Sequence, residues 1–213
     1  MSGRKVKAAV VGVGLLGEQH AGQYAGSAKS ELVLVHDLNP DRARAVGESL
    51  GVRWTTNLAD VATSDAEIVS IATPDHLHHE AAVRMLEAGK HLLVEKPLAT
   101  KTTEAREIVE LARANDLKVT INLGNRWLGN FQSIREAVQE GEIGDPVYAY
   151  CRCSDTIWVP TQMLSWAGRS GPQWFLFAHT MDLIRWFLGQ EAKDVYAVRT
   201  KKILAEKGID LTE

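Results

Sequence analysis

The sequence predicts an α/β protein: a doubly wound parallel sheet followed by an incomplete α+β second domain. Three observations predict it. Strand-like and helix-like segments alternate through the first part of the chain, the pattern of a mainly parallel sheet with helices on both faces. A glycine cluster, Gly12-Val13-Gly14-Leu15-Leu16-Gly17, joins the first apolar run to the first helix-like stretch. After about Gly124 the alternation gives way to a longer strand-like run, an irregular stretch and an apolar helix. The expected boundaries are therefore 1–123 and 124–213.

Element by element, Lys5–Val11 reads as a strand, Leu15–Ala25 as a helix and Glu31–His36 as a strand. Asp41–Leu50 reads as a helix, with Asn39-Pro40-Asp41 as its start and Pro40 in the first turn. Val52–Thr55 is a short strand, Glu67–Ala72 a buried strand, Asp75–Ala88 a helix and His91–Glu95 a strand. Thr103–Asn115 is a helix and Lys118–Asn122 a strand. The loops end in Asp, Asn, Thr or Gly, as helix caps require. Beyond Gly124, Phe131–Gln139 reads as a helix ended by Gly141-Glu142-Ile143-Gly144, and Pro146–Cys153 as an alternating strand. An irregular stretch rich in Trp, Gly and Ser, 154–173, leads to an apolar helix around Ala178–Leu188, stopped by Gly189. Asp194–Lys201 is a further strand, and Ala205–Glu213 is polar. Two strands and two helices make a thin core.

The chain has 213 residues, is 45% hydrophobic and 24% charged, and carries a formal net charge of −3. That charge offers no basic footprint for nucleic acid. No apolar run approaches the roughly eighteen residues of a membrane span. No signal peptide is expected, because the charged Ser2-Gly3-Arg4-Lys5 leads straight into a strand. A cytoplasmic protein is expected. Cys151 and Cys153, one residue apart in an expected strand, would point the same way, which is poor geometry for a disulfide and too little for a metal site. They read as reduced thiols.

The glycine cluster carries the functional reading. Gly12 lets the chain turn off the strand, Gly14 lets a pyrophosphate approach the backbone, and Gly17 lets the helix pack on the sheet. The helix start then offers free N–H groups and partial positive charge. Asp37 stands twenty residues past Gly17, at the end of the second strand. A carboxylate there accepts from both hydroxyls of an adenosine ribose and repels a 2′-phosphate. The expected cofactor is NAD rather than NADP. Arg42 and Arg44 lie further on, along the next helix. The first part thus reads as a dinucleotide-binding Rossmann domain.

Ligands of such sheets sit beyond the carboxyl ends of the strands. Thr73 and Pro74, after the fourth strand, are placed to line the cofactor. The adjoining Asp75-His76-Leu77-His78-His79-Glu80 lacks a strong zinc spacing, and no metal is expected. Glu95-Lys96-Pro97 ends the next strand at the same edge. Oxidising a carbinol needs a base for the hydroxyl proton. Burial and a nearby cationic nicotinamide would bring a lysine toward that range. His179, on an apolar segment, is expected to be buried or to line a pocket, and Asp182 one turn on suits the start of that helix.

The chain resembles the Gfo/Idh/MocA oxidoreductases, which include inositol and sugar dehydrogenases. The matching pieces are Gly12–Gly17 with His20, Ala72–His78, Ala88–Ala99 with its Glu95-Lys96-Pro97, Asn125-Arg126-Trp127, Gly141–Gly144 and His179–Asp182. They follow the family's order over nearly the whole chain. The resemblance implies a nucleotide domain and a C-terminal α/β domain with an open sheet that often builds dimers or tetramers. A homo-oligomer through that sheet is expected where the sheet is complete. The resemblance also implies that Lys96 is catalytic, that Glu95 and Thr73 place the nicotinamide ribose, and that the Lys96–Pro97 peptide is cis. Leu15, Leu16 and His78, within matching motifs, join the expected cofactor contacts. His179 matches the family's substrate-binding and acid–base histidine, and Arg126 and Trp166 are further expected substrate contacts.

Two features depart from the family. Many of its dehydrogenases carry an aspartate four residues before the histidine, where this chain has Phe175. Phe175 can neither orient an imidazole nor stabilise its charge. Family members are also longer, and the missing part is most of the second sheet, so the chain reads as a fragment or the rest is supplied otherwise. The expected activity is NAD-dependent oxidoreduction of a polyol, sugar or sugar derivative. The alternatives are a non-catalytic dinucleotide-binding regulator or scaffold, and an enzyme using NAD transiently for sugar elimination.

Overall fold

β1 (Val6–Val11) is buried from Ala8 to Val11 because it lies in the middle of a sheet covered on both faces. A computed structural model describes residues 3–209 of the chain; Ser2 of the charged opening and the last four residues of the polar closing segment lie outside the described residues. The chain divides into two units, Met1–Asn122 and Leu123–Glu213.

In the first unit, α1 (Leu15–Gly26), β2 (Ser30–His36), α2 (Pro40–Leu50), β3 (Arg53–Thr55), α3 (Leu58–Ala62) and β4 (Ile68–Ile71) follow β1. A 3-10 turn at Asp75–Leu77 then leads into α4 (His78–Glu87), β5 (His91–Glu95), α5 (Thr102–Ala114) and β6 (Val119–Asn122). All strand pairs are parallel, in the order β3-β2-β1-β4-β5-β6. The order reverses between β1 and β4, which opens a crevice at their carboxyl ends. This is the doubly wound sheet expected. Alternate residues of β1 feed two cores: Ala9 and Val11 join Ile71, Met85, Leu92 and Ile108 on one face, and Val10 joins Leu32, Val35 and Val46 on the other.

Local chemistry explains the helix ends. Asn39 caps α2 by accepting from the N–H groups of Asp41 and Arg42, with Pro40 in the first turn, and Gly51 ends it at φ +66°. The sequence reading passed over α3, a five-residue helix capped by Asn57, because so short a helix shows no periodicity.

The second unit holds a 3-10 turn at Gly124–Trp127, α6 (Gly129–Gln139), a π-helical turn at Val159–Met163, a 3-10 turn at Ala167–Arg169, α7 (Pro172–Phe175), α8 (Phe177–Leu188) and α9 (Ile203–Glu206). The strands expected at Pro146–Cys153 and Asp194–Lys201 are not formed. Alternation marks a segment able to pair, but a strand exists only when a neighbour takes its backbone groups. Here Val147 is 97% exposed and Tyr196 90% exposed. Cys151 and Cys153 are free thiols on this unpaired run. Among the described residues no helix is long and apolar enough to cross a membrane.

Candidate functional site

The glycine turn is shaped by contact. Gly12 has φ +82°, and a Cβ there would meet Ala72 O and Thr73 N at 2.9 Å. A Cβ on Gly17 would stand 1.8 Å from Gly12 O, so the helix can approach the turn only with glycine at that position. Gly14 differs: a Cβ there would meet nothing within 4 Å. That open space lies at the start of α1, which has no side-chain cap, so its first N–H groups are free for an anion. Leu15 and Leu16, both exposed, flank the opening.

Asp37 is buried at the end of β2. Its Oδ2 accepts from Val13 N at 3.0 Å, and its Oδ1 from Asn39 N at 2.9 Å. The acid is therefore braced directly to the glycine turn. Arg42 Nη1 lies 3.3–3.4 Å from the two oxygens, on a half-exposed side chain. Arg44 turns to Asp41 instead, at 2.9 Å.

Across the crevice, Thr73 Oγ1 is buried without a hydrogen-bond partner. A buried hydroxyl left so is an acceptor and donor awaiting a ligand. Pro74 follows it on the same rim. Glu95 and Lys96 end β5, both buried, and the Lys96–Pro97 peptide is cis. Glu95 Oε1 accepts from Asn122 Nδ2 at 2.7 Å and lies 2.9 Å from His20 Nε2. Burial alone would push the Glu95 carboxyl up. The bonds from His20 and Asn122, with the positive neighbours His20 and Lys96, outweigh burial and hold it below the usual carboxylate range.

His78, an expected cofactor contact, is wholly buried, with Nδ1 2.6 Å from Pro97 O and Nε2 2.8 Å from Thr73 O. Each ring nitrogen faces a backbone carbonyl, one from the Thr73 loop and one from the Lys96–Pro97 turn, and an imidazole donates to one of the two. His79 leans on Glu107 at 2.8 Å. Among the described residues no group of three or more His, Cys, Asp or Glu side chains is placed to hold a metal ion.

In the second unit, Arg126, an expected substrate contact, is paired with Asp182. Its Nε and Nη2 donate to Asp182 at 2.8 and 2.5 Å, and its guanidinium lies 5.7 Å from the centre of the Trp186 ring. The Asp182 bonds push the guanidinium above its usual value, against burial. Arg126 is thus engaged in anchoring α8. Trp166 packs edge-on against Phe175 at 6.2 Å. Phe175 in turn faces an apolar cavity of about 370 Å³ lined also by Ile157, Leu164, Leu176 and Leu204. His179 sits half-buried in the first turn of α8, its N–H bonded to Leu176 O at 3.1 Å.

Sequence reasoning missed Asn122 as a Glu95 partner. The two are paired across β5 and β6, a register known only once the strands are placed.

The sheet order, the glycine turn and the braced acid define a dinucleotide-binding protein of the Rossmann class. Residues 6–123 match the oxidoreductase family with the NAD-binding Rossmann fold, GFO_IDH_MocA, and residues 131–211 match the GFO/IDH/MocA C-terminal domain. The chain belongs to this family. It is 30% identical over 202 residues to inositol 2-dehydrogenase 3 of Saccharopolyspora erythraea, covering 92% of this chain and 58% of the relative. It is 29% identical over 216 residues to the D-glucoside 3-dehydrogenase of Escherichia coli, covering 97% and 61%. Among solved structures, the myo-inositol 2-dehydrogenase of Lactobacillus plantarum superposes with a TM-score of 0.87 at 25% identity, over 99% of this chain and 64% of that one. The chain spans between 50% and 61% of the length of the curated relatives compared.

Proposed function

We propose that this chain is part of an NAD-dependent oxidoreductase acting on a polyol, sugar or sugar derivative. The observation that carries the reading is the placement of Lys96, buried beside Glu95 at the carboxyl end of β5, one strand from the crevice where Gly12 and Thr73 meet. The residues fit the dinucleotide. Gly14 leaves room and the start of α1 leaves N–H groups for the pyrophosphate, Asp37 takes the adenosine ribose, and the unpartnered Thr73 hydroxyl and Glu95 take the nicotinamide ribose. When bound, the nicotinamide supplies a hydride acceptor or donor. Lys96 exchanges the proton of the substrate hydroxyl. His179, on the second unit, is the substrate-binding and acid–base histidine. The carboxylate of Asp37, already holding two backbone N–H groups, disfavours a 2′-phosphate, which supports NAD over NADP. The names of the relatives, inositol and glucoside dehydrogenases, support the substrate class.

Reduced-cofactor absorbance over a panel of polyols and sugars tests the reading. Lys96→Met is expected to remove turnover by about 10³-fold while NADH binding stays within about threefold. Unchanged turnover would refute the role of Lys96. Asp37→Ala is expected to weaken NAD about tenfold or more and to narrow its advantage over NADP.

Phe175 favours a second reading, a non-catalytic dinucleotide-binding regulator or scaffold, because its ring faces an apolar cavity where a carboxylate would orient the histidine. Binding without turnover on any substrate would support it. An enzyme that uses NAD transiently for elimination would instead exchange substrate hydrogen with solvent and yield no net NADH. Two free thiols are consistent with a cytoplasmic setting. The exposed runs 146–153 and 194–201 are consistent with assembly through a sheet of the second unit.

A further inference from the structure

Glu95 is almost wholly removed from water, and a carboxylate so placed needs donors. It has two, from two different elements, and both act on the same oxygen. Asn122 on β6 donates to Oε1 at 2.7 Å, and His20 Nε2 on α1 lies 2.9 Å from it. The other nitrogen of His20 lies 2.6 Å from Ser70 Oγ on β4. Chemistry orders this chain. A carboxylate only accepts, so Nε2–H donates to Glu95; in the neutral ring, Nδ1 then accepts from the Ser70 hydroxyl. The imidazole, 12% exposed, is thus anchored at both ends and spans from the helix behind the glycine turn to β4 and β5.

We propose that His20 is the positioning residue of the nicotinamide end: braced by Ser70 and joined by Asn122, it holds the Glu95 carboxylate in one orientation, so that this carboxylate is a preformed acceptor for a ribose hydroxyl and a fixed negative neighbour for Lys96. This rests on the dinucleotide reading above. The charged groups facing Glu95 are His20 from α1 and Lys96 from its own strand end; β6 contributes only the neutral Asn122. A simple strut between helix and sheet would need the Ser70 bond alone. The convergence of His20 and Asn122 on one buried carboxylate oxygen, at the strand end that carries Lys96, is what points to a positioned acceptor.

The test is equilibrium titration of the full chain with NADH and with ADP, which reaches the glycine turn and Asp37 but has no second ribose. His20→Phe is expected to weaken NADH about tenfold and ADP less than about twofold. The loss of NADH affinity at acid pH is expected to begin at higher pH in His20→Phe, because a buried Glu95 stripped of a donor takes up a proton sooner. His20→Gln, which keeps an N–H donor, is expected to recover most of the affinity. In a Glu95→Gln background, His20→Phe is expected to add little further loss. Equal weakening of NADH and ADP, or no change in either, overturns the role of His20 while leaving the dinucleotide reading standing. Wild type that binds neither nucleotide overturns both. Should His20→Phe fail to fold, Asn122→Leu removes the other Oε1 donor without touching α1. It is expected to weaken NADH selectively, by a smaller factor, and equal loss of ADP would again overturn the proposal.

Discussion

The first unit places every strand between neighbours or at a short edge, and its central residues Ala8 to Val11 lose essentially all contact with water. The second unit contains sequence just as suited to strands, Val147-Tyr148-Ala149-Tyr150 and Val195-Tyr196-Ala197-Val198, yet those residues stand in solvent and pair with no strand among the described residues. Intrinsic preference is the same in both; what differs is whether another backbone is present to take the N–H and C=O groups. The first unit therefore builds its part of the site from contacts it owns. The order in the second unit lies mainly in α8 and in what holds it.

Amide exchange gives the largest expected contrast. Amides of β1 and β4 are expected to be protected by roughly 10³-fold or more over those of 146–153 and 194–201. Equal protection would mean that the second-unit runs do pair in solution, and the comparison would fail.

Next in size is the pair Gly17→Val and Gly14→Ala. At Gly17 the added carbon would stand 1.8 Å from a carbonyl oxygen, so a loss of about 4 kcal/mol or more is expected in thermal or denaturant unfolding. At Gly14 the space is open, so stability is expected to change by less than about 0.5 kcal/mol while NADH affinity falls. A Gly14→Ala protein with full affinity would show that the open space is not where the pyrophosphate lies.

How much of this was legible in the sequence follows the same division. The parallel sheet was legible because apolar runs and amphipathic stretches alternate, and the glycine turn because Gly12, Gly14 and Gly17 each do a different job at fixed spacing. Asp37 was legible by its distance from that turn, but its bond to Val13 N was not. The structural partners of His78 and Arg126 were illegible. A histidine or arginine in a motif gives no sign of which backbone carbonyl or aspartate the fold will bring beside it. Only the fold brings Thr73 O, Pro97 O and Asp182 within reach. The unformed strands were misread because alternation reports the capacity to pair, not the presence of a partner.

Breaking the Arg126–Asp182 pair sharpens the contrast from the other side. Asp182 is buried and takes two guanidinium bonds, while Arg126 keeps more than a third of its side chain in water. Discounted for that exposure, Asp182→Ala is expected to destabilise the second unit by about 2 kcal/mol. Amide exchange in α8 is expected to rise, and that of β1 to stay unchanged. Loss of protection in both units would show that α8 supports the whole chain rather than its own half.

The smallest effect expected is on acid stability, and it separates two buried groups of the first unit. Burial, opposed by the nearby Asp37, Thr56 and Asp60, lowers the His36 pKa from its ordinary 6.5. The unfolded chain therefore binds this proton more readily, so the stability His36 contributes is complete above pH 6.5 and declines as pH falls below it. Glu95 titrates below its ordinary 4.5 in the folded unit, because its hydrogen bonds outweigh burial; its contribution is complete above 4.5 and is lost as pH falls through the lower folded value. Asp65 and Glu67 shift in the same direction, Asp65 through Lys7 and Glu67 through the Lys7 N–H and then Arg4, but their partners Lys7 and Arg4 are exposed, so added salt weakens these pairs and leaves the buried terms largely in place. Denaturant midpoints followed by amide exchange in β1, at high salt, are then expected to fall in two steps on acidification. His36→Leu is expected to remove the upper step and Glu95→Gln the lower one. A midpoint that stays flat through the upper window would mean that His36 is not held neutral by its burial, and that the end of β2 beside Asp37 is wetter than the packing of the first unit requires.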